Sequence, residues 1–358
     1  MNSPRSFRTT ELAKEFARQG HEVAVLTPRK EAVHADFEKK YGVSIKDLGK
    51  PAWKPIEIKG KGLMYWLRRG LKRFSKLLIE YPDIEVMLMV QKKLKQEKGY
   101  NLLISIAVPH PTHWGVAKIW KKGGKSNPAR IWVADCGDPY IGQENDSFKK
   151  PFYFAWIEKW FCKKVDYLSV PTPTSYKGYY KAFHGKIKVI PQGFKFEDYK
   201  FHQQERKTEA VIKFGYGGLF IPGRRDPKEF LNYLIALEEK YDFEFHIYTR
   251  SATYIEEYAK KSKSIVIHEP ISRIELMKIF SSFDFLVNFQ NAGDKQTPSK
   301  LIDYAILDKP ILDIKTGSLD KGNLEAFLQG DFTNSLKIEN PEQYRIENVV
   351  TKFLKLIP

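Results

Sequence analysis

The stretch from Phe285 to Leu312 limits the possible folds more than any other. Phe285-Leu286-Val287-Asn288-Phe289 is an apolar run with the length of a buried strand, and a polar, glycine-containing loop follows it to Gln296. Thr297 then stands as N-cap with Pro298 at the first helical position, while Leu301, Ile302, Ala305 and Ile306 recur at helical spacing. Lys309-Pro310 stops that helix, and Ile311-Leu312 opens another strand. Strand, helix and strand in so short a span call for a parallel pairing, and hence an α/β fold.

The start of this helix also carries chemistry. The amides of Ser299, Lys300 and Leu301 lack intrahelical partners, and the helix dipole adds partial positive charge. Phosphate binds readily at such an end, and Lys300 adds a full charge beside it. Asp303 sits in the second turn and leans back towards the N-terminus, where it can accept hydrogen bonds from a pair of sugar hydroxyls. Phosphate first and diol second is the shape of a nucleoside diphosphate. The plain alternative is a capped helix with a solvated Lys and Asp, and these residues alone fit both.

A chain of 358 residues exceeds one typical domain, so two α/β domains are expected, and 42% hydrophobic and 14% aromatic residues supply ample core. The formal charge of +17 calls for an anionic partner: nucleic acid, acidic membrane or a phosphorylated ligand. Cys136 and Cys162 are the only cysteines, without a CxxC or a His/Cys cluster at metal spacing. That fits a reducing cytoplasm and argues against structural zinc. No apolar run reaches the length of a membrane span and the start lacks a signal-peptide core, so a soluble or peripheral protein is expected.

From the N-terminus, Thr9-Thr10-Glu11 is expected to open an amphipathic helix, Leu12–Gln19, followed by a strand over 21–27. A helix so soon followed by a parallel-type strand normally has an earlier strand before it, yet Met1–Phe7 are polar. A missing first strand is therefore expected, with a translation start assigned too late as its source. Residues 28–60 read as an irregular crossover. Lys59–Ile79 then carries an apolar side with Trp66 and a charged side of Lys and Arg, with no acid before Glu80. Such a helix suits an anionic membrane surface; a core-packing helix with a solvated basic face is the other reading.

Leu102–Val108 and Arg130–Ala134 read as buried strands, and ligand sites in parallel sheets lie beyond such carboxyl ends. His110, His113, Asp135 and Asp138 all fall there, as candidates for a catalytic cleft. Each alone is more often a turn or cap residue. A helix over Phe152–Cys162 and strands at Tyr167–Val170 and Ile187–Ile190 complete this half, and Pro191–Phe194 reads as the link. The second half opens with a strand to Gly215, then Gly217-Gly218 and Arg224-Arg225 before the helix start Asp226-Pro227. Two glycines allow close backbone approach and two arginines can clamp a diphosphate without a metal.

Taken together, these segments resemble the GT-B glycosyltransferases of the retaining family 4 type, over nearly the whole length. RTTELAKEFARQGHEVAVLTP is similar to that family's first helix and second strand, and VDYLSVPTPTSYKGY with KIKVIPQGF to its inter-domain crossing. GYGGLFIPGRRDPKEFL resembles the opening of its nucleotide domain, and HEPISRIELMKIFSSFDFLVNF with PSKLIDYAILDKPIL its closing βα units. The resemblance implies two Rossmann-like domains facing each other across a cleft: acceptor-binding 1–193 and nucleotide-sugar-binding 194–340. A C-terminal helix, 341–358, would pack back on the first. Donor-binding roles are implied for Arg225, Ser299, Lys300 and Asp303, and His268–Ile271 matches the segment that contacts the base, which adds Ile271.

The pattern also departs from the family. Lys295 stands where the first of two paired glutamates belongs, and Asp303 is one methylene shorter than the second. The N-terminal glycine loop is absent with the first strand, leaving Arg5 and Arg8, and the Asp135–Asp138 segment replaces the acceptor-side histidine. The implied activity is metal-independent transfer of a hexosyl group from a nucleotide sugar to a glycan or lipid-linked glycan in surface-polysaccharide synthesis, with no cofactor. Asp138, then Asp135 or His110, is the expected acceptor-side group. The expected location is cytoplasmic, at the inner membrane face. A nucleotide-sugar epimerase of the same fold and an inactive remnant are the alternatives. A nucleic-acid-binding protein fits less well, because the cations cluster at helix starts and on one amphipathic helix.

Overall fold

The computed structural model describes residues 4–58, 61–137, 139–142, 149–199, 211–290 and 300–358. In chain order the helices and strands are α1 (Pro4–Arg18), β1 (Ala24–Thr27), α2 (Glu31–Tyr41), β2 (Ser44–Asp47), α3 (Leu63–Ile79), α4 (Ile84–Leu94), β3 (Tyr100–Ile106), α5 (Pro111–Ile119), β4 (Ala129–Asp135), α6 (Tyr153–Lys164), β5 (Tyr167–Val170) and β6 (Ile187–Val189). There follow β7 (Ile212–Gly217), α7 (Lys228–Leu237), β8 (Phe243–Tyr248), α8 (Glu256–Lys261), β9 (Ile265–His268), α9 (Arg273–Phe280), β10 (Phe285–Phe289), α10 (Lys300–Leu307), β11 (Ile311–Ile314), α11 (Lys321–Leu328) and α12 (Ile346–Leu354). The chain forms two units: Met1–Phe194 with Gln343–Pro358, and Lys195–Glu342.

In the first unit β3, β4, β5 and β6 form a parallel sheet in that order, and β1 pairs in parallel with β2 as a separate two-stranded sheet. Among the described residues no strand precedes α1 and none joins the two sheets. Helix α1 begins well before Thr9. The two threonine hydroxyls donate to carbonyls one turn back, Thr9 to Arg5 at 2.9 Å and Thr10 to Ser6 at 2.7 Å, instead of capping a start. One side of α1 sends Leu12 into a core with Val133, Ile190, Val349, Val350 and Phe353, which seats α12; the other sends Ala13 against Val43 and Ile45.

The expected irregular crossover over 28–60 is in part regular, because α2 and β2 lie within it. Long-range bonds order it. Arg29 donates to Glu38 at 2.9 Å and to the Ile45 carbonyl at 3.0 Å, and Glu38 accepts the Ile45 amide at 2.7 Å. Phe37 and Tyr41 pack with Val43 and Ile45 beneath.

The second unit is one parallel sheet of five described strands, ordered β11-β10-β7-β8-β9. Its strands read as near-continuous apolar runs because helices cover both faces. Phe214 stacks on Phe285 at 4.4 Å and on Phe245 at 4.8 Å, an aromatic ladder across the three central strands. On the other face Phe280, Leu286, Tyr304 and Ile311 seat α9 and α10. The order reverses at β7, which lies between β8 and β10, so the sheet has a switch point there.

Candidate donor and acceptor sites

The carboxyl end of β7 opens the candidate site of the second unit. Gly217 and Gly218 permit it: a Cβ at Gly217 would come within 2.7 Å of Leu276, and one at Gly218 within 2.9 Å of the Tyr216 hydroxyl. The two glycines, Tyr248, Thr249, Pro270 and Ile271 line a cleft of about 250 Å³ that also reaches Leu219, Arg250 and Leu276. Its polar groups come from the end of β8, and its apolar side from the loop after β9. Tyr248 stacks on His268 at 4.5 Å, and His268 shares a 2.9 Å hydrogen bond with His246. Tyr248, Thr249 and Arg250 are absent from the expected site residues. Their signal is positional, since Tyr248 ends a buried strand in the sheet that carries the glycines and Thr249 and Arg250 follow it.

Beside Gly218, Lys300 enters from the first turn of α10. Its Nζ lies 3.9 Å from the centre of the Tyr216 ring and is buried without a hydrogen-bond partner among the described residues. Burial pulls the Lys300 ammonium well below its usual range, and the nearby Arg225 guanidinium pushes the same way. Burial raises the Tyr216 hydroxyl to about 12, and the charge of the nearby Arg225 guanidinium opposes that rise. The loop carrying it is pinned: Thr316 Oγ1 donates to the Arg224 carbonyl at 2.7 Å and accepts the Asp226 amide at 3.1 Å. Asp226 in turn accepts the Lys228 amide at 3.2 Å at the start of α7. Arg224 is exposed at the tip of this loop. Lys300 and Arg225 thus meet over one tyrosine, next to backbone that a ligand can approach closely.

Asp303 is half-buried and already partnered. Arg273 donates to its Oδ1 from Nε at 2.9 Å and from Nη2, and packs over the Tyr199 ring at 4.8 Å. Desolvation pushes Asp303 up, and Arg273 opposes that rise. Arg273 thus occupies Oδ1. Thr297 and Ser299 lie outside the described residues.

In the first unit the acceptor-side candidates divide. Asp135 is 2% exposed and anchors α1: Arg8 donates to both its oxygens at 2.5 and 2.7 Å, and Ser169 adds a bond of 2.5 Å. Burial alone would raise this carboxyl, but the Arg8 guanidinium holds it below its usual range. With every bond pointing inward, Asp135 is a structural anion. Its expected place as an acceptor-side group gives way to that reading. His113 is likewise internal, with Nδ1 2.8 Å from Ser105 Oγ and Nε2 3.5 Å from Cys136 Sγ. His110 differs. Its ring lies 4.8 Å from that of Tyr140, and its Nδ1 has no hydrogen-bond partner among the described residues. Desolvation, with His113 adding, pulls His110 down to about 3, so it is a neutral imidazole at physiological pH. Arg5 fills the space over Gly137 that a side chain there would need. Asp138 lies outside the described residues. Among those described, no group of His, Cys, Asp and Glu could hold a metal ion.

Two parallel-sheet units, one with paired cations and close-approach glycines at its switch point, make up the GT-B architecture. The model of Glycosyltransferase Family 4 matches residues 7–198, just over half the chain. The chain belongs to that family. Solved structures agree on the fold: a glycosyltransferase from Rickettsia africae ESF-5 (9% identity, 100% of this chain, 92% of that one, TM-score 0.59) and the lipopolysaccharide outer core galactosyltransferase WaaB (11%, 99%, 96%, 0.56). A third is the UDP-GlcNAc 2-epimerase from Neisseria meningitidis bound to UDP-GlcNAc (10%, 99%, 96%, 0.55). Of the TarM chain, this one spans 58%. No curated protein matches the sequence.

Proposed function

We propose that the protein transfers a hexosyl group from a nucleoside diphosphate sugar to a hydroxyl of a glycan or lipid-linked glycan, with retention at the anomeric carbon, in the cytoplasm. The observation that carries this reading is Lys300: a buried ammonium without a hydrogen-bond partner among the described residues, beside Arg225 and Gly218, which an anion would complete. The diphosphate lies over Lys300 and Arg225, and the base enters the cleft between Tyr248 and Ile271. The acceptor oxygen bonds to the anomeric carbon as its bond to the β-phosphate breaks. The nucleoside diphosphate leaves with the electron pair and takes the acceptor proton. Lys300 and Arg225 stabilise the charge that develops on it, the role a metal takes elsewhere. On the acceptor side Asp138, or the neutral His110, orients the hydroxyl without having to remove its proton.

The test is isothermal titration with UDP and GDP, with and without EDTA, on the wild type and on Arg225→Ala. One nucleotide should bind with micromolar affinity, unaffected by EDTA and about tenfold or more weaker in the variant. Binding of neither by folded protein would sink the donor site. The epimerase, whose likeness here is one of fold, is separated by incubation with the cognate nucleotide sugar alone: an epimerase would release an isomeric nucleotide sugar without any acceptor.

A further inference from the structure

Helix α3 has no buried residue, although its apolar side chains are large: Leu63, Trp66 and Phe74 are 77%, 62% and 64% exposed. At about 100° per residue, Leu63, Leu67, Leu71, Phe74 and Leu78 fall within about 80° of one another. Arg69, Lys72, Arg73 and Lys76 fall on the opposite side, with Arg68 on the flank between. The helix itself contains no carboxylate. The first one after it, Glu80, is turned inward, bound by Lys150 and by the Tyr140 hydroxyl at 2.8 Å.

Further aromatic side chains gather at the C-terminal end of α3. The Tyr153 hydroxyl donates to the Leu78 carbonyl and so ties the start of α6 to this helix end. Phe152 and Trp156, in ring contact at 5.4 Å, are 73% and 66% exposed there. Trp53 stacks on Tyr81 at 5.7 Å and is also exposed.

We propose that α3, with Trp53, Phe152 and Trp156 at its end, docks the protein on an anionic phospholipid bilayer. Among the described residues no helix is long and apolar enough to cross a membrane, so α3 would lie in the interface with its cations at headgroup level. Charge complementarity selects the bilayer over a second copy. Two copies joined by this face would bring two cationic flanks of a +17 chain within a Debye length, whereas an anionic bilayer neutralises both and accepts the apolar stripe. The surface is independent of donor chemistry, so nucleotide binding and vesicle binding can fail separately.

The experiment is flotation of the full chain with phosphatidylcholine vesicles, with and without phosphatidylglycerol, at low and high salt. Binding should require phosphatidylglycerol and fall with salt. Lys72→Gln with Lys76→Gln should weaken it about fivefold per charge. Leu67→Ser with Leu71→Ser and Phe74→Ser should weaken it at least about tenfold, and Phe152→Ser with Trp156→Ser should reduce it independently. Thermal melting and nucleotide affinity should not change, because these side chains are exposed. Absence of vesicle binding at low salt, or binding indifferent to both apolar variants, would overturn the proposal. So would a dimer in light scattering that the Leu67 variant turns into monomer while vesicles stay unbound.

Discussion

Replacing Lys300 with methionine should stabilise the nucleotide-free protein and weaken its nucleotide complex. Burying an unpaired ammonium costs several kcal/mol, and a cation–π contact as close as the 3.9 Å approach to Tyr216 returns about 2 kcal/mol. Methionine fills nearly the same volume and puts a thioether against the ring, so about 1–2 kcal/mol of net penalty should disappear. For a unit the size of Lys195–Glu342 that raises the melting temperature by about 2–8 °C. The gain must depend on pH. Lys300 is harder to protonate folded than unfolded, so wild-type stability rises with pH towards the ordinary lysine value of about 10.4, where the advantage of methionine vanishes. In the complex the sign reverses, because a charge-assisted bond to phosphate is worth about 1.5–3 kcal/mol, or about 10- to 150-fold in affinity. Calorimetric melting and titration with UDP and GDP on the same samples read both effects. A variant that melts lower and binds like the wild type would make Lys300 a structural residue and remove the main support for the donor site.

Arg8→Met should destabilise the first unit by about 3–5 kcal/mol, since it leaves Asp135 buried and uncompensated and removes donors to the Ile190 and Pro191 carbonyls. Adding Asp135→Asn should recover part of that loss in a urea double-mutant cycle, and the folded double variant should keep its turnover. A turnover drop of about a hundredfold or more would instead return Asp135 to the acceptor side as a reacting group. Acid should also act on this unit. His113 titrates near 4 folded and near 6.5 unfolded, so the unfolded state binds the extra proton and stability falls as pH drops through that window, by about 1.4 kcal/mol per pH unit. His113→Gln should flatten the slope by that amount. Glu158, pushed up to about 7 by burial, has the opposite sign, and Glu158→Gln should steepen the slope between about 7 and 4.5. Equal slopes in all three proteins would contradict these protonation states.

What could be read from the sequence was local. β5, β8 and β10 occupy the expected residues because each is an apolar run bounded by turn residues, and α3 shows its amphipathic period openly. Helix α2 escaped because its period is weak and its order comes from Arg29, which bonds both Glu38 and the Ile45 carbonyl, sixteen residues from Arg29 itself. The start of α1 was misplaced because a threonine that bonds back along a helix looks, in sequence, like one that caps it. In the site, Gly217, Gly218 and Ile271 lie on one cleft, and Lys300 and Arg225 meet over Tyr216. The pairing of Arg8 with Asp135, 127 residues apart, and of Arg273 with Asp303 left no local trace. Both change what a carboxylate at a strand end or helix start is free to do.

The excess of positive charge therefore has no single explanation. Some cations are internal counter-ions: Arg8 closes the first unit around Asp135, and Arg273 occupies one oxygen of Asp303. These neutralise acids and add nothing to an outward field. Lys300 is buried with no hydrogen-bonded acid among the described residues, and the Asp313 charge offsets its burial only in part; that is costly unless an anion arrives, so its charge acts at short range on whatever enters beside Gly218. The cations of α3 do the reverse. Exposed and grouped along one helix, they act through solvent and are screened by salt. Nucleotide binding and surface attachment should then respond differently to ionic strength: attachment should fall steeply, while the contact with Lys300, shielded from water, should weaken far less. Measuring both on one preparation across a salt series separates the two populations of charge, and equal salt dependence would show that Lys300 is open to solvent when the anion binds.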